Sequence, residues 1–207
     1  MSVYSLINGG KMARPKSEEK RNTLLSVAIK VFARNGLTAS TSSITTEAGM
    51  AAGTLFIYFK GKDELLNALY VEIKKDLAEA MLRDHRENSS AEEAMKHVWN
   101  NYIDWGIQNP DSLAVLHKLK VWEGLKPEIP EETAKRLCQL QTLTETAIAG
   151  GALKDIPYEF MLALFSAQTE TVMQFIKQDP DKAELYKERG FELFWTGVNK
   201  TDRLQKQ

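Results

Sequence analysis

Apolar residues recur at helical spacing along nearly the whole of this 207-residue chain, and no stretch alternates with the period of two that a half-buried strand requires. Leu24, Leu25, Ala28, Val31 and Phe32 mark one face of a first helix, with Ser17 as its expected N-cap and Asn35-Gly36 as its stop. Leu65, Leu66, Leu69, Ile73, Leu77 and Met81 predict a long helix from Lys62 to about Arg86. Ser90 with Glu93 forms a capping box, and Pro110, Pro130 and Pro157 sit where further helices should begin. Asp179-Pro180 separates the last two helices. The expected fold class is all-α, about nine helices, with the tail from Thr201 frayed. Residues 1–11 have no periodicity and read as a disordered arm.

Composition narrows the function classes. Hydrophobic residues make up 43 %, enough for a buried interior. No apolar run approaches the roughly 20 residues of a membrane span, and the first residues lack a basic start and a long apolar region, so neither a membrane partner nor a signal peptide is expected. A single cysteine, Cys138, excludes an internal disulfide framework and suits a reducing cytoplasm; it is expected to be a small buried apolar side chain. The net charge of -1 conceals an asymmetry: residues 1–75 carry 11 Lys+Arg against 6 Asp+Glu, and the rest is net acidic. A basic first third suits a polyanionic partner. His85, His97 and His117 lack metal-ligand spacing, and Ala149-Gly150-Gly151-Ala152 is a helix stop rather than a phosphate loop. With no nucleophile–base pair either, no metal, cofactor or enzymatic activity is expected.

Residues 40–62 carry the strongest functional signal. Two short helical segments flank a tight turn at Gly49-Met50-Ala51, where Gly49 permits a positive φ. Ile44 and Ala48 face inward from the first segment, and Leu55 and Phe59 from the second, which is expected to run from about Ala52 to Phe59. Ala52, Gly53, Thr54, Phe56, Ile57 and Tyr58 are left to face outward. This spacing suits a helix-turn-helix whose second helix enters the major groove, but it equally suits an ordinary corner of a helical bundle. Thr54 offers a hydroxyl and a methyl to a base edge, while Thr41, Tyr58, Lys60 and Lys62 can reach phosphates.

The run Glu47-Ala48-Gly49-Met50-Ala51-Ala52-Gly53-Thr54-Leu55-Phe56-Ile57-Tyr58-Phe59-Lys60-Gly61-Lys62-Asp63-Glu64-Leu65-Leu66 resembles the DNA-binding domain of the TetR (tetracycline-repressor-like) family, as does Ala28–Gly36 upstream. The likeness covers roughly Lys16 to Tyr70. It implies a DNA-binding domain at residues 12–62, a helical ligand-binding and dimerisation domain at 63–200, and a repressor that binds a pseudo-palindromic double-stranded DNA operator. Three positions depart from the family pattern: Ala51 stands for a Ser, Phe56 for a Tyr, and Ile57 for a His or another polar residue. Hydrogen-bonded readout is lost there, and apolar contact with a thymine methyl is the available substitute.

The resemblance also implies a homodimer formed by the last two helices, about Pro157–Gln178 and Asp181–Val198, through Phe160, Leu164, Phe191, Phe194 and Trp195. It further implies a small-molecule effector, here an apolar one. Trp99, Tyr102, Trp105, His117, Trp122, Met161 and Phe165 could line its pocket, although these residue types fit plain core packing as well.

Overall fold

The computed structural model describes residues 14–86 and 89–200. The expected arm at residues 1–11 and the tail from Thr201 lie outside them. The described residues form nine α-helices: α1 (Arg14–Asn35), α2 (Thr41–Glu47), α3 (Leu55–Tyr58), α4 (Lys62–Leu82), α5 (Ala91–Gln108), α6 (Pro110–Lys120), α7 (Glu131–Ala149), α8 (Tyr158–Gln178) and α9 (Ala183–Val198). Among these residues the only extended pairing is an isolated bridge between Leu153 and Asn199.

Three helix ends differ from expectation. Ser17 is not an N-cap, because α1 is already under way from Arg14. The segment expected as one helix from Ala52 to Phe59 is a 3₁₀ turn, Ala52–Thr54, followed by α3. Ala51 has no side chain able to cap that start, and Gly53 is a poor helix former. α4 stops at Leu82 rather than near Arg86, because Asp84 adopts a left-handed φ of 58°. The freed carbonyls are taken up from α5: Asn101 Nδ2 donates to Met81 O (3.4 Å) and Arg83 O (3.1 Å).

The helices fall into two compact units, the first containing residues 14–69 with Ala114–Leu125, the second Tyr70–Leu113 with 126–200. The first unit buries Leu24, Leu25, Ala28, Val31 and Phe32 of α1 together with Ile44, Leu55, Phe59, Leu65, Leu66 and Leu69. The end of α6 belongs to it through Val115, Leu116 and Leu119, all buried. Lys118 Nζ completes the attachment by donating to Phe32 O (3.1 Å) and Ala33 O (2.8 Å), a cation placed on the C-terminal carbonyls of α1.

The second unit is built around Trp99. Its ring meets Phe165 edge-on (5.5 Å) and stacks on Phe194 (5.4 Å), and its Nε1 donates to Lys187 O (3.1 Å). Gly190 lets α9 approach this closely: a Cβ there would stand 2.5 Å from Val172 Cγ2 and 3.0 Å from the Trp99 ring. α5 opens on the expected capping box, with Glu93 N donating to Ser90 Oγ (3.2 Å) and Ser90 N to Glu93 Oε2 (2.8 Å). Replacing Ser90 by Ala should lower unfolding stability by about 1 kcal/mol. A urea midpoint unchanged from wild type would show that the box contributes nothing.

Candidate functional site

The turn after α2 is a Schellman motif. Met50 N donates to Thr45 O (2.8 Å) and Gly49 N to Thr46 O (3.1 Å), while Gly49 holds φ at +66°. The start of α2 is equally well tied: Ser43 N donates to Ser40 Oγ (3.2 Å), and Ser43 Oγ to Ser40 O (2.6 Å). Ile44 and Leu55 are fully buried and Phe59 is 2 % exposed, so both segments are anchored from beneath. Ala48 is half-buried. The Arg21 guanidinium lies over the Phe59 ring, 5.4 Å from its centroid, and closes the far end of α3.

This anchoring leaves Ala51, Ala52, Gly53, Phe56 and Ile57 exposed on one continuous segment, with Thr54 and Tyr58 half-buried beside them. Thr41 is half-buried in the first turn of α2. Lys60 is exposed, and its backbone N–H donates to Glu64 Oε2 (2.8 Å), which ties the α3–α4 turn. The Lys62 ammonium sits over the Phe32 ring, 5.9 Å from its centroid, so its side chain is partly held by the protein itself. The structure therefore brings Ala52, Gly53, Thr54, Phe56, Ile57, Tyr58 and Lys60 together on the second half of a helix-turn-helix.

The second unit holds a partly open cavity of about 1080 Å³. Met81, Met95, Val98, Leu143, Met161 and Phe165 give it an apolar wall, while His85, Lys135, Gln139 and Tyr158 supply polar groups. Of the seven residues expected around a pocket, Met161 and Phe165 line this cavity. Trp99 and Tyr102 are buried in the aromatic cluster beside Phe165. Burial, with Glu170 nearby, pushes the Tyr102 phenol up to about 12, so it stays neutral. Trp105 is buried as well, and its Nε1 donates to Asp76 Oδ2 (2.7 Å). His117 and Trp122 belong to the first unit. Cys138 is exposed, not buried as expected, because α7 turns this side chain toward open cavity space rather than packed core. The α7 wall went unread because Leu140 and Leu143 have the same spacing whether they meet a core or a void.

Of the residues expected at a dimer interface, Phe160 is 57 % exposed, Leu164 and Trp195 are half-buried, and Phe191 and Phe194 lie inside the second unit at 2 %. Phe175 on α8 and Leu185 and Leu193 on α9 are further exposed apolar side chains, as is Leu162 of α8, which lines the cavity. Among the described residues no group of three or more His, Cys, Asp or Glu could hold a metal ion, and no helix is long and apolar enough to cross a membrane.

Fold and site together define a helix-turn-helix DNA-binding protein carrying a second, cavity-containing helical unit. Residues 24–69 match the family described as bacterial regulatory proteins, tetR family. The fatty acid metabolism regulator protein of Bacillus subtilis (strain 168) is 28 % identical over 176 residues, covering 82 % of this chain and 88 % of that one. A TetR family transcription regulator from Marinobacter aquaeolei VT8 superposes with a TM-score of 0.80 at 20 % identity, over 90 % of this chain and 98 % of that one. The transcriptional regulator FadR from Bacillus subtilis, solved in complex with stearoyl-CoA, superposes with a TM-score of 0.61 at 19 % identity, over 86 % and 99 %. Residues 24–69 thus carry the tetR-family match, and over most of its length the chain is similar to TetR-family transcription regulators.

The left-handed backbone at Gly49 is the most direct local requirement of the site. A Cβ there meets nothing within 4 Å, so Gly49→Ala adds backbone strain without a clash. It should destabilise the protein by about 1–2 kcal/mol. Thermal and urea unfolding report this, and an unshifted transition would contradict the assigned turn.

Proposed function

We propose that the protein is a cytoplasmic homodimeric repressor, released from a pseudo-palindromic operator when an apolar, long-chain acyl ligand fills the cavity of the second unit. The observation that carries this reading is the cavity itself. Its 1080 Å³ are at the upper end of the size of small-molecule sites, and its wall is mostly apolar with a few polar groups. Each methylene buried there contributes about 0.8 kcal/mol, which favours long chains over short ones. The acyl class is supported by the name of the Bacillus subtilis relative and by the stearoyl-CoA bound in the FadR structure.

DNA is read by residues 12–62. Ala52, Gly53, Thr54, Phe56 and Ile57 face the bases; Thr41, Tyr58, Lys60 and Lys62 hold phosphates. The remainder, 63–200, binds ligand and dimerises. The dimer is supported by the exposed apolar side chains of α8 and α9, with Phe160, Leu164 and Phe175 at i, i+4 and i+15 on one side of α8. Two-fold pairing then matches two half-sites about 34–36 Å apart, or a multiple of it, and a ligand that changes this separation weakens binding. Such release requires only that the ligand favour one of the two arrangements.

Gel shifts with DNA flanking the gene, run across a salt series with and without stearoyl-CoA, test the reading. Expected are salt-sensitive shifts and at least tenfold weaker binding with the acyl ligand. Lys60→Ala should reduce the salt slope by about one. Binding that ignores the acyl ligand sinks the release mechanism, and absence of any salt-sensitive shift sinks the regulator itself.

A further inference from the structure

We infer that this protein reads its operator chiefly through the 5-methyl groups of thymine, contacted by Ile57 and Phe56. The inference rests on the DNA-binding role proposed above and adds the base chemistry that is recognised.

The argument begins with what the reading segment lacks. Guanine is read in the major groove by Arg or Lys, adenine by Asn or Gln, and cytosine by Asp or Glu. None of these occurs from Gly49 to Phe59. The only side-chain hydrogen-bonding groups in that stretch are the hydroxyls of Thr54 and Tyr58, both on half-buried residues. With only two half-buried hydroxyls to hydrogen-bond a base, most of the direct discrimination open to this surface is apolar contact, and the thymine methyl is the one apolar group on a base edge in the major groove.

The structure places the complementary apolar groups in the open. Ile57 is 76 % exposed and Phe56 57 %. Neither is a displaced core residue, since the inward positions of this segment are already filled by Leu55 and Phe59. Successive helical residues diverge by about 100°, so Ile57 and Phe56 cannot meet the same methyl and must address different bases. Ile57 lies three positions after Thr54, on the side of its hydroxyl and methyl; Phe56 opens the neighbouring side. Ala51, Ala52 and Gly53 keep the approach low, letting the backbone come close to the groove floor.

Charge complementarity commits this apolar pair to DNA rather than to a protein partner. The exposed Lys60 follows three residues after Ile57, and the pair lies within the net-basic residues 1–75. The segment therefore offers cations for the phosphates at its end and apolar tips for the groove in its middle.

The test uses the full-length protein and a duplex selected from a random pool. Each thymidine of the selected half-sites is replaced in turn by deoxyuridine, which removes only the methyl. Wild type should lose about two- to fivefold in affinity at two or more positions per half-site. Ile57→Ala should bind the thymidine duplex several-fold more weakly and lose the uridine penalty at one of those positions. Phe56→Ala should lose it at another. Because both side chains are exposed, thermal melting should be unchanged, and Ile57→Val should retain most of the penalty. Tight, sequence-selective binding that ignores every uridine substitution overturns this inference while leaving the DNA-binding role intact. No selective or salt-sensitive binding to any duplex overturns both. A change of oligomeric state in Ile57→Ala, seen by light scattering, would assign the pair to a protein interface and overturn the inference as well.

Discussion

The arrangement of the helix-turn-helix depends on one short stretch of backbone, the left-handed Gly49 that closes α2. Its φ of +66° lets Met50 and Gly49 satisfy the last carbonyls of α2 while reversing the chain within three residues. Only after that reversal can Leu55 and Phe59 reach the interior that Ile44 already occupies. α3 has only four residues and could not persist as an isolated helix. It is held by those two buried side chains, by the Arg21 cap over Phe59 and by the tie from Lys60 to Glu64. The outward face is thus positioned by the anchored inward face, and its exposed residues, Phe56 and Ile57 among them, are not needed for that anchoring.

The second unit follows a different logic. Trp99, Phe165, Phe191 and Phe194 pack at ring distances of 5.4 to 6.0 Å and form a solid aromatic centre. Phe165 and Phe194 also face the cavity, so the same rings serve as core on one side and as wall on the other. Across the space stands α7, whose exposed Cys138 and Lys135 give that wall a more polar character. The polar residues His85, Lys135, Gln139 and Tyr158 let such a cavity hold a chain with a polar end.

Much of this was legible in the residues alone. The helices, the capping box at Ser90, the stops at Gly36 and Gly49 and the inward positions Ile44, Leu55 and Phe59 all follow from local rules, and the structure places them accordingly. The misses share a physical origin in tertiary context. Nothing in the spacing of Trp99, Tyr102 or Trp105 distinguishes packing against neighbours from lining a void. Cys138 and the α7 wall failed for the same reason in reverse. The Lys118 cap on α1 joins residues 85 and 86 positions apart, and no local pattern could announce it. α4 ends early at Asp84, a non-glycine residue at positive φ, and the Met81 and Arg83 carbonyls beside it are taken up by Asn101, which lies far along the chain on α5.

The central claim is that a pair of these helix-turn-helix units reads two related half-sites. Hydroxyl-radical footprinting of the full-length protein on a duplex selected from a random pool tests it most directly. The account predicts two protected patches related by two-fold symmetry, their centres about 34–36 Å or a multiple of that apart. A single unrepeated patch, or protection spread evenly along the duplex, would contradict it.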